Sequence, residues 1–206
     1  VSYQPKDAFY KRAKQEHYAA RSVYKLEEID AKHHLLARGQ LVLDLGCSPG
    51  SWLQYAGSVV GPHGAVLGYD LAEPRVPIVP PVFARVADVH ALTPEQIRAD
   101  LAEALGRPVD PQPFTLLLSD MAPKTTGIHD ADQARSIGLV EKALWLHAQL
   151  VRAEGGFLAK TFQGRGIDAL IEDARRTFRE VKVLRPKATR DGSREVFVLA
   201  RQRREG

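Results

Sequence analysis

The stretch Val42-Leu43-Asp44-Leu45-Gly46-Cys47-Ser48-Pro49-Gly50-Ser51-Trp52 constrains this chain more than any other. Its apolar start reads as a buried strand that runs straight into a glycine-bearing turn and then a helix. Strand–turn–helix units of this kind build open α/β sheets, in which ligands sit beyond the carboxyl ends of the strands. Gly46 and Gly50 remove side chains that would keep a ligand off the backbone. The spacing is Gly-x-x-x-Gly, not the Gly-x-Gly-x-x-Gly of dinucleotide enzymes, and no Gly-Lys-Ser/Thr is present to hold a nucleotide phosphate.

The rest of the chain continues the alternation. Residues 7–32 carry Phe9, Ala13, Val23, Leu26 and Ile29 at helical spacing and predict one or two N-terminal helices. Strands are predicted at Leu41–Leu45, Ala65–Tyr69, Phe83–Val86, Phe114–Ser119, Phe157–Thr161, Val181–Leu184 and Glu195–Ala200. Helices are predicted at Trp52–Val60, after Thr93-Pro94-Glu95-Gln96, at Ala131–Ala153 with a stop at Gly155-Gly156, and at Ile167–Phe178. Thr93 is the expected N-cap and Gln96 the expected partner in a capping box. The Pro-rich stretch Glu73–Pro81 is a loop. Only a short link joins the last two strands, so they form an antiparallel hairpin. The expected architecture is a three-layer α/β/α domain around a mostly parallel seven-stranded sheet, of the Rossmann-like methyltransferase pattern. The division is one domain over 1–206, with a basic helical segment at 1–40 and a core at 41–200.

A length of 206 residues, 44% hydrophobic and 26% charged, suits one well-cored soluble domain. No apolar run is long enough for a membrane span. The single cysteine, Cys47, excludes an internal disulfide and a cysteine zinc site, which fits a reducing cytoplasm. The charge is uneven. Residues 1–25 hold six basic and two acidic side chains, and residues 175–204 hold eleven and three, around an acidic middle. Two basic ends brought to one face would suit a polyanion.

Acids stand where a cofactor would need them. Asp70 ends the second strand, where a carboxylate accepts from both hydroxyls of a ribose. Asp88 follows the third strand and can accept from an adenine amino group, with Val89 beside the ring. Asp120 ends the fourth. With the turn residues Gly46, Ser48, Pro49, Gly50, Ser51 and Trp52, the last expected to pack over the site, this set points to S-adenosylmethionine. Any one of these acids alone would read as a helix N-cap or a loop turn. His33-His34 and His90 have no partners at ligand spacing, and no metal is expected.

Four further segments carry a resemblance. Lys25 lies in Arg21-Ser22-Val23-Tyr24-Lys25-Leu26-Glu27-Glu28-Ile29, Asp120 in Leu118-Ser119-Asp120-Met121-Ala122-Pro123, Lys160 in Phe157-Leu158-Ala159-Lys160-Thr161-Phe162-Gln163-Gly164, and Glu195 in Ser193-Arg194-Glu195-Val196-Phe197-Val198. In this order they resemble the Lys-Asp-Lys-Glu tetrad of the FtsJ/RrmJ-type RNA ribose 2′-O-methyltransferases. Asp132-Gln133-Ala134-Arg135-Ser136 and Arg185-Pro186-Lys187-Ala188 also fit that pattern. The similarity runs from about residue 8 to 200. Ser51 departs from the Gly-Gly-Trp usual at the cofactor turn, and Lys124 stands where other members carry a neutral residue.

The resemblance implies methyl transfer from S-adenosylmethionine to a ribose hydroxyl, without a metal. Lys160 is then the general base or the group that orients the hydroxyl, Lys25 and Glu195 position it, and Asp120 also lies near the sulfonium. Arg12, Lys14, Arg21, Arg165, Lys187, Arg190 and Arg194 are the expected phosphate contacts. The implied substrate is a uridine ribose of large-subunit ribosomal RNA on the assembled subunit, and the implied protein is a cytoplasmic monomer. Relatives acting on tRNA or mRNA caps leave the RNA open. The competing readings are a small-molecule O-methyltransferase and a non-catalytic RNA-binding assembly factor.

Overall fold

A computed structural model describes residues 8–124, 126–164, 166–190 and 192–204. Two short helices, α1 (Ala8–Gln15) and α2 (Val23–His33), precede the alternating core. The core runs β1 (Leu41–Leu45), α3 (Ser51–Val60), β2 (Ala65–Asp70), β3 (Val82–Val86), α4 (Pro94–Leu105), β4 (Phe114–Ser119), α5 (His129–Leu150), β5 (Val151–Phe162), α6 (Ile167–Thr177), β6 (Phe178–Leu184) and β7 (Glu195–Arg203). The seven strands lie in the order β3-β2-β1-β4-β5-β7-β6. All neighbours are parallel except those of β7, which runs antiparallel to both β5 and β6. This is the three-layer sheet expected from the sequence, with the expected C-terminal hairpin.

The inner strands are apolar on both faces because helices cover both. Leu43 and Leu45 of β1, Phe157 and Ala159 of β5 and the stripe Val140, Ala143, Leu146 and Leu150 of α5 share one core. Val42, Leu158, Phe197 and Leu199 pack on the opposite face against Leu26 and Ile29 of α2 and Trp52, Leu53 and Ala56 of α3. A smaller cluster joins Ala13 of α1 to Val23 and Tyr24 of α2 and to Ala188 of the β6–β7 link. The N-terminal helices therefore lie against the C-terminal hairpin. The Lys187 backbone N–H donates to Glu28 at 2.7 Å, and Arg201 donates to the His33 carbonyl.

Two local expectations need correction. Helix α5 stops at Leu150, and Gly155 and Gly156 lie inside β5 instead of ending the helix. The apolar run through Val151 continues the helical stripe, so periodicity alone extends the helix too far. The glycines serve a register shift between β4 and β5, where a Cβ on Gly155 would meet the Thr115 carbonyl at 2.8 Å. At α4, Thr93 does cap, accepting from the Gln96 N–H at 3.2 Å. The Gln96 side chain, however, turns to Asp100 at 2.8 Å and does not complete a capping box.

Asp100 draws Gln96 because it is buried and also accepts from the Tyr69 hydroxyl at 2.5 Å, which ties α4 to β2. Tyr69→Phe removes that donor while keeping the ring. It is expected to cost about 1–3 kcal/mol, the desolvation penalty of a buried acceptor left short, measured by urea unfolding. A change within error would mean that the bond contributes nothing net.

Candidate active site

The carboxyl ends of β1, β2 and β4 open into a cavity of about 650 Å³. Gly46, Ser48, Asp70, Asp88, Val89 and Asp120 line it, six of the ten residues expected to hold a cofactor. Asp70 is fixed by two backbone donors, Ser48 N–H at 2.9 Å and Ala72 N–H at 3.0 Å, one on each oxygen. Each oxygen keeps a lone pair for a further donor. Asp88 accepts from the His90 N–H through one oxygen at 2.9 Å. Leu71, His90, Met121, Lys124 and Arg135 also line the cavity. None of these five is in the expected cofactor set.

The far half of the turn faces elsewhere. Pro49, Gly50, Ser51 and Trp52 are not among the cavity's lining residues. Trp52 is buried, donates its indole N–H to the Ser22 carbonyl at 2.9 Å and stacks on Phe197 with ring centroids 6.0 Å apart. It anchors α2 to the sheet and does not cover the site. Ser51 meets Ser22 hydroxyl to hydroxyl at 3.0 Å. The glycines are needed by the protein itself: a Cβ on Gly46 (φ +82°) would meet Met121 at 2.7 Å, and one on Gly50 (φ +117°) would meet Val76 at 2.4 Å.

Beside the cavity the four tetrad residues come together from α2, β4, β5 and β7. The Lys160 ammonium pairs with the Asp120 carboxylate at 2.9 Å and donates to the Asp120 carbonyl at 2.5 Å. The Lys25 ammonium pairs with Glu195 at 2.7 Å across 170 positions of sequence. Both lysines are almost fully buried, at 6% and 7% exposure, which is tolerated because each is paired. Burial raises the Glu195 pKa, but the hydrogen bond from Lys25 and the charges of Lys25 and Lys160 outweigh it, leaving the carboxyl below its ordinary value.

Of the expected phosphate contacts, Lys14, Lys187 and Arg190 are exposed. Arg21 is half-buried, and burial and then the nearby Arg190 charge hold its pKa below the usual value. Arg12 is exposed but already paired: it meets Glu16 at 2.8 Å and Glu27 at 3.4 Å and lies 4.3 Å over the Tyr24 ring. Arg194 donates to the Gln163 carbonyl at 2.5 Å and to Gln133 at 3.4 Å. Arg165 lies outside the described residues.

Sequence reasoning passed over Asp44, inside β1. It is fully buried, and among the described residues neither oxygen has a hydrogen-bond partner. Burial, followed by the charges of Asp120 and Asp70, pushes its carboxyl well above the usual range. A carboxyl raised in the folded state is protonated there while the unfolded chain has already lost that proton, so stability falls as pH rises above the ordinary carboxylate range. Asp44→Asn is expected to remove this slope, worth up to about 1.4 kcal/mol per pH unit. Urea unfolding of both proteins between pH 5 and 8 checks it, and parallel slopes would refute it.

The FtsJ-like methyltransferase family model matches residues 18–203. A protein of Bdellovibrio bacteriovorus named Ribosomal RNA large subunit methyltransferase E is 42% identical over 199 residues, 97% of each chain. One of the same name from Syntrophobacter fumaroxidans is 42% identical over 207 residues, the whole of both chains. The crystal structure of a ribosomal RNA methyltransferase from Plasmodium falciparum superposes with a TM-score of 0.75 at 23% identity, covering 90% of this chain and 98% of that one, and so shares the fold. The family match and the full-length relatives agree: this chain belongs to the FtsJ-like methyltransferases.

Proposed function

We propose that this protein is an S-adenosylmethionine-dependent ribose 2′-O-methyltransferase acting on a uridine of large-subunit ribosomal RNA. The observation that carries the reading is Lys160, an almost fully buried ammonium held by Asp120 beside a cofactor-sized cavity, with the Lys25–Glu195 pair next to it. A scaffold has no use for such a group. The family supports methyl transfer, and relatives named for the large ribosomal subunit, alike over their full length, support the substrate.

The cavity's residues suit the cofactor. Asp70 has lone pairs left for ribose hydroxyls, Asp88 keeps one oxygen clear of its backbone bond for an amino group, and Val89 offers an apolar face. Asp70 and Asp120 line the cavity, and their carboxylates suit a cationic cofactor. S-adenosylmethionine, when bound, supplies a methyl group already activated by the sulfonium. What remains for the protein is to align the hydroxyl and remove its proton. Lys160 holds the hydroxyl and, in its neutral form, takes the proton. Asp120 fixes the Lys160 side chain through carboxylate and carbonyl, while Lys25 and Glu195 neutralise each other and wall the acceptor side. Lys14, Lys187, Arg190 and Arg21, on the face where the N-terminal helices meet the hairpin, supply phosphate affinity without sequence information.

The test is transfer of label from S-adenosylmethionine to undermethylated large subunits, free ribosomal RNA and tRNA. Label in a uridine ribose of subunit RNA is expected. Lys160→Ala is expected to lose about 10²–10⁴-fold in kcat with cofactor affinity unchanged. A parallel collapse of cofactor binding would make Lys160 structural, and transfer to a small hydroxylated molecule instead of RNA would overturn the substrate.

A further inference from the structure

The tetrad has a second hollow beside it. A cleft of about 300 Å³ is lined by His129, Asp132, Gln133, Phe162 and Arg194, with glycines at its rim. Its position follows from the strand order. The cofactor cavity lies at the ends of β1, β2 and β4, the Asp120–Lys160 pair at β4 and β5, and the cleft at β5, β7 and the start of α5. Phe162 pairs in register with Glu195 and Arg194 precedes it in the chain, so two of the cleft's lining residues adjoin the tetrad's Glu195.

The walls are held before anything enters. Asp132 accepts from the Thr126 N–H at 2.8 Å, the Thr126 hydroxyl at 2.9 Å and the Gly127 N–H at 3.1 Å, which spends its charge on the loop. Gln133 is buried and donates to the Phe162 carbonyl at 3.1 Å. Arg194 is pinned to Gln163 and Gln133. Gly164 stays bare because a Cβ there would strike Gln133 at 1.9 Å and Arg194 at 2.4 Å. Three of the lining residues, Phe162, His129 and Arg194, carry flat π groups of the kind on which unstacked bases lie.

We propose that this cleft takes the nucleobase of the nucleotide being methylated. The inference rests on reading the tetrad as a ribose methylation site. An in-line displacement brings the acceptor oxygen to the methyl group from the side away from sulfur. The ribose therefore stands on the β5–β7 side of Lys160, and the base attached to it meets the cleft. The volume is less than half that of the cofactor cavity, which suits one ring system and not a dinucleotide. Arg194, expected from sequence to hold a phosphate, serves here as a wall.

Phe162→Leu, Phe162→Ala and His129→Ala are assayed on undermethylated large subunits, with cofactor affinity as the measure of a folded protein. Phe162→Ala is expected to raise the KM for subunits about 5- to 150-fold, the range for loss of one base-stacking contact, with cofactor affinity intact. Phe162→Leu keeps apolar bulk without the planar ring and is read if the alanine variant fails to fold. Unchanged kinetics in Phe162→Leu and His129→Ala together would overturn the proposal. A second arm does not need turnover. Uridine 5′-monophosphate is titrated onto the protein bound to S-adenosylhomocysteine, and backbone amide shifts are followed. Shifts at Gly127 and Gly192, weakened by Phe162→Leu, are expected, and their absence would overturn the proposal. If those shifts occur while the wild-type protein methylates no RNA, the methylation reading falls and the base cleft stands.

Discussion

Everything at this site depends on one strand running the wrong way. In a wholly parallel sheet only the last residues of strands reach the ligand end. β7 is antiparallel to β5, with Phe162 opposite Glu195 and Lys160 opposite Phe197. Its first residue, Glu195, is therefore delivered to the same end as Lys160, near the end of β5, and Asp120, which follows β4. Lys25 closes the group from outside the sheet, on a helix held in part by the Trp52 indole and by the apolar face shared with Phe197 and Leu199. Burying two lysines and two carboxylates is costly unless every charge is matched. Here the matching crosses four elements, so the fold and the tetrad support each other.

A second constraint is the concentration of negative charge beneath the cofactor cavity. Asp44, Asp70 and Asp120 end or occupy three neighbouring strands. Only two of them have partners: Asp70 takes backbone N–H groups and Asp120 takes Lys160. Asp44 has none among the described residues, and burial pushes its carboxyl well above the usual range. The protein thus carries an acidic floor whose charge is partly held in reserve, in a chain whose two ends are basic.

Much of this was legible in the chain. Each inner strand is an apolar run between turn residues, and the four tetrad residues sit in segments whose resemblance to the FtsJ/RrmJ-type pattern implied that they converge. What escaped were matters of orientation and competition. Trp52 was misplaced because its sequence position fixes the helix but not the side on which the N-terminal helices dock. Gly155-Gly156 reads equally as a helix stop or a strand irregularity, and only the β4 partner decides. Arg12 and Arg194 look like spare positive charge until Glu16, Glu27 and Gln163 are found beside them. Asp44 was hidden by its setting, a single acid within an apolar strand, and only its lack of partners makes it conspicuous.

The strand order has a consequence for how the site comes into being. β6 leaves the ribosome before β7, yet its neighbour in the sheet is β7, which must insert between it and β5. Without β7 in that place β5 would be a sheet edge and Lys25 would lack its Glu195 partner. Seating β7 between β5 and β6 thus completes both the sheet and the tetrad. A nascent or locally opened chain lacks Glu195 at the site, so competence to modify a substrate is gained only with closure of the whole fold.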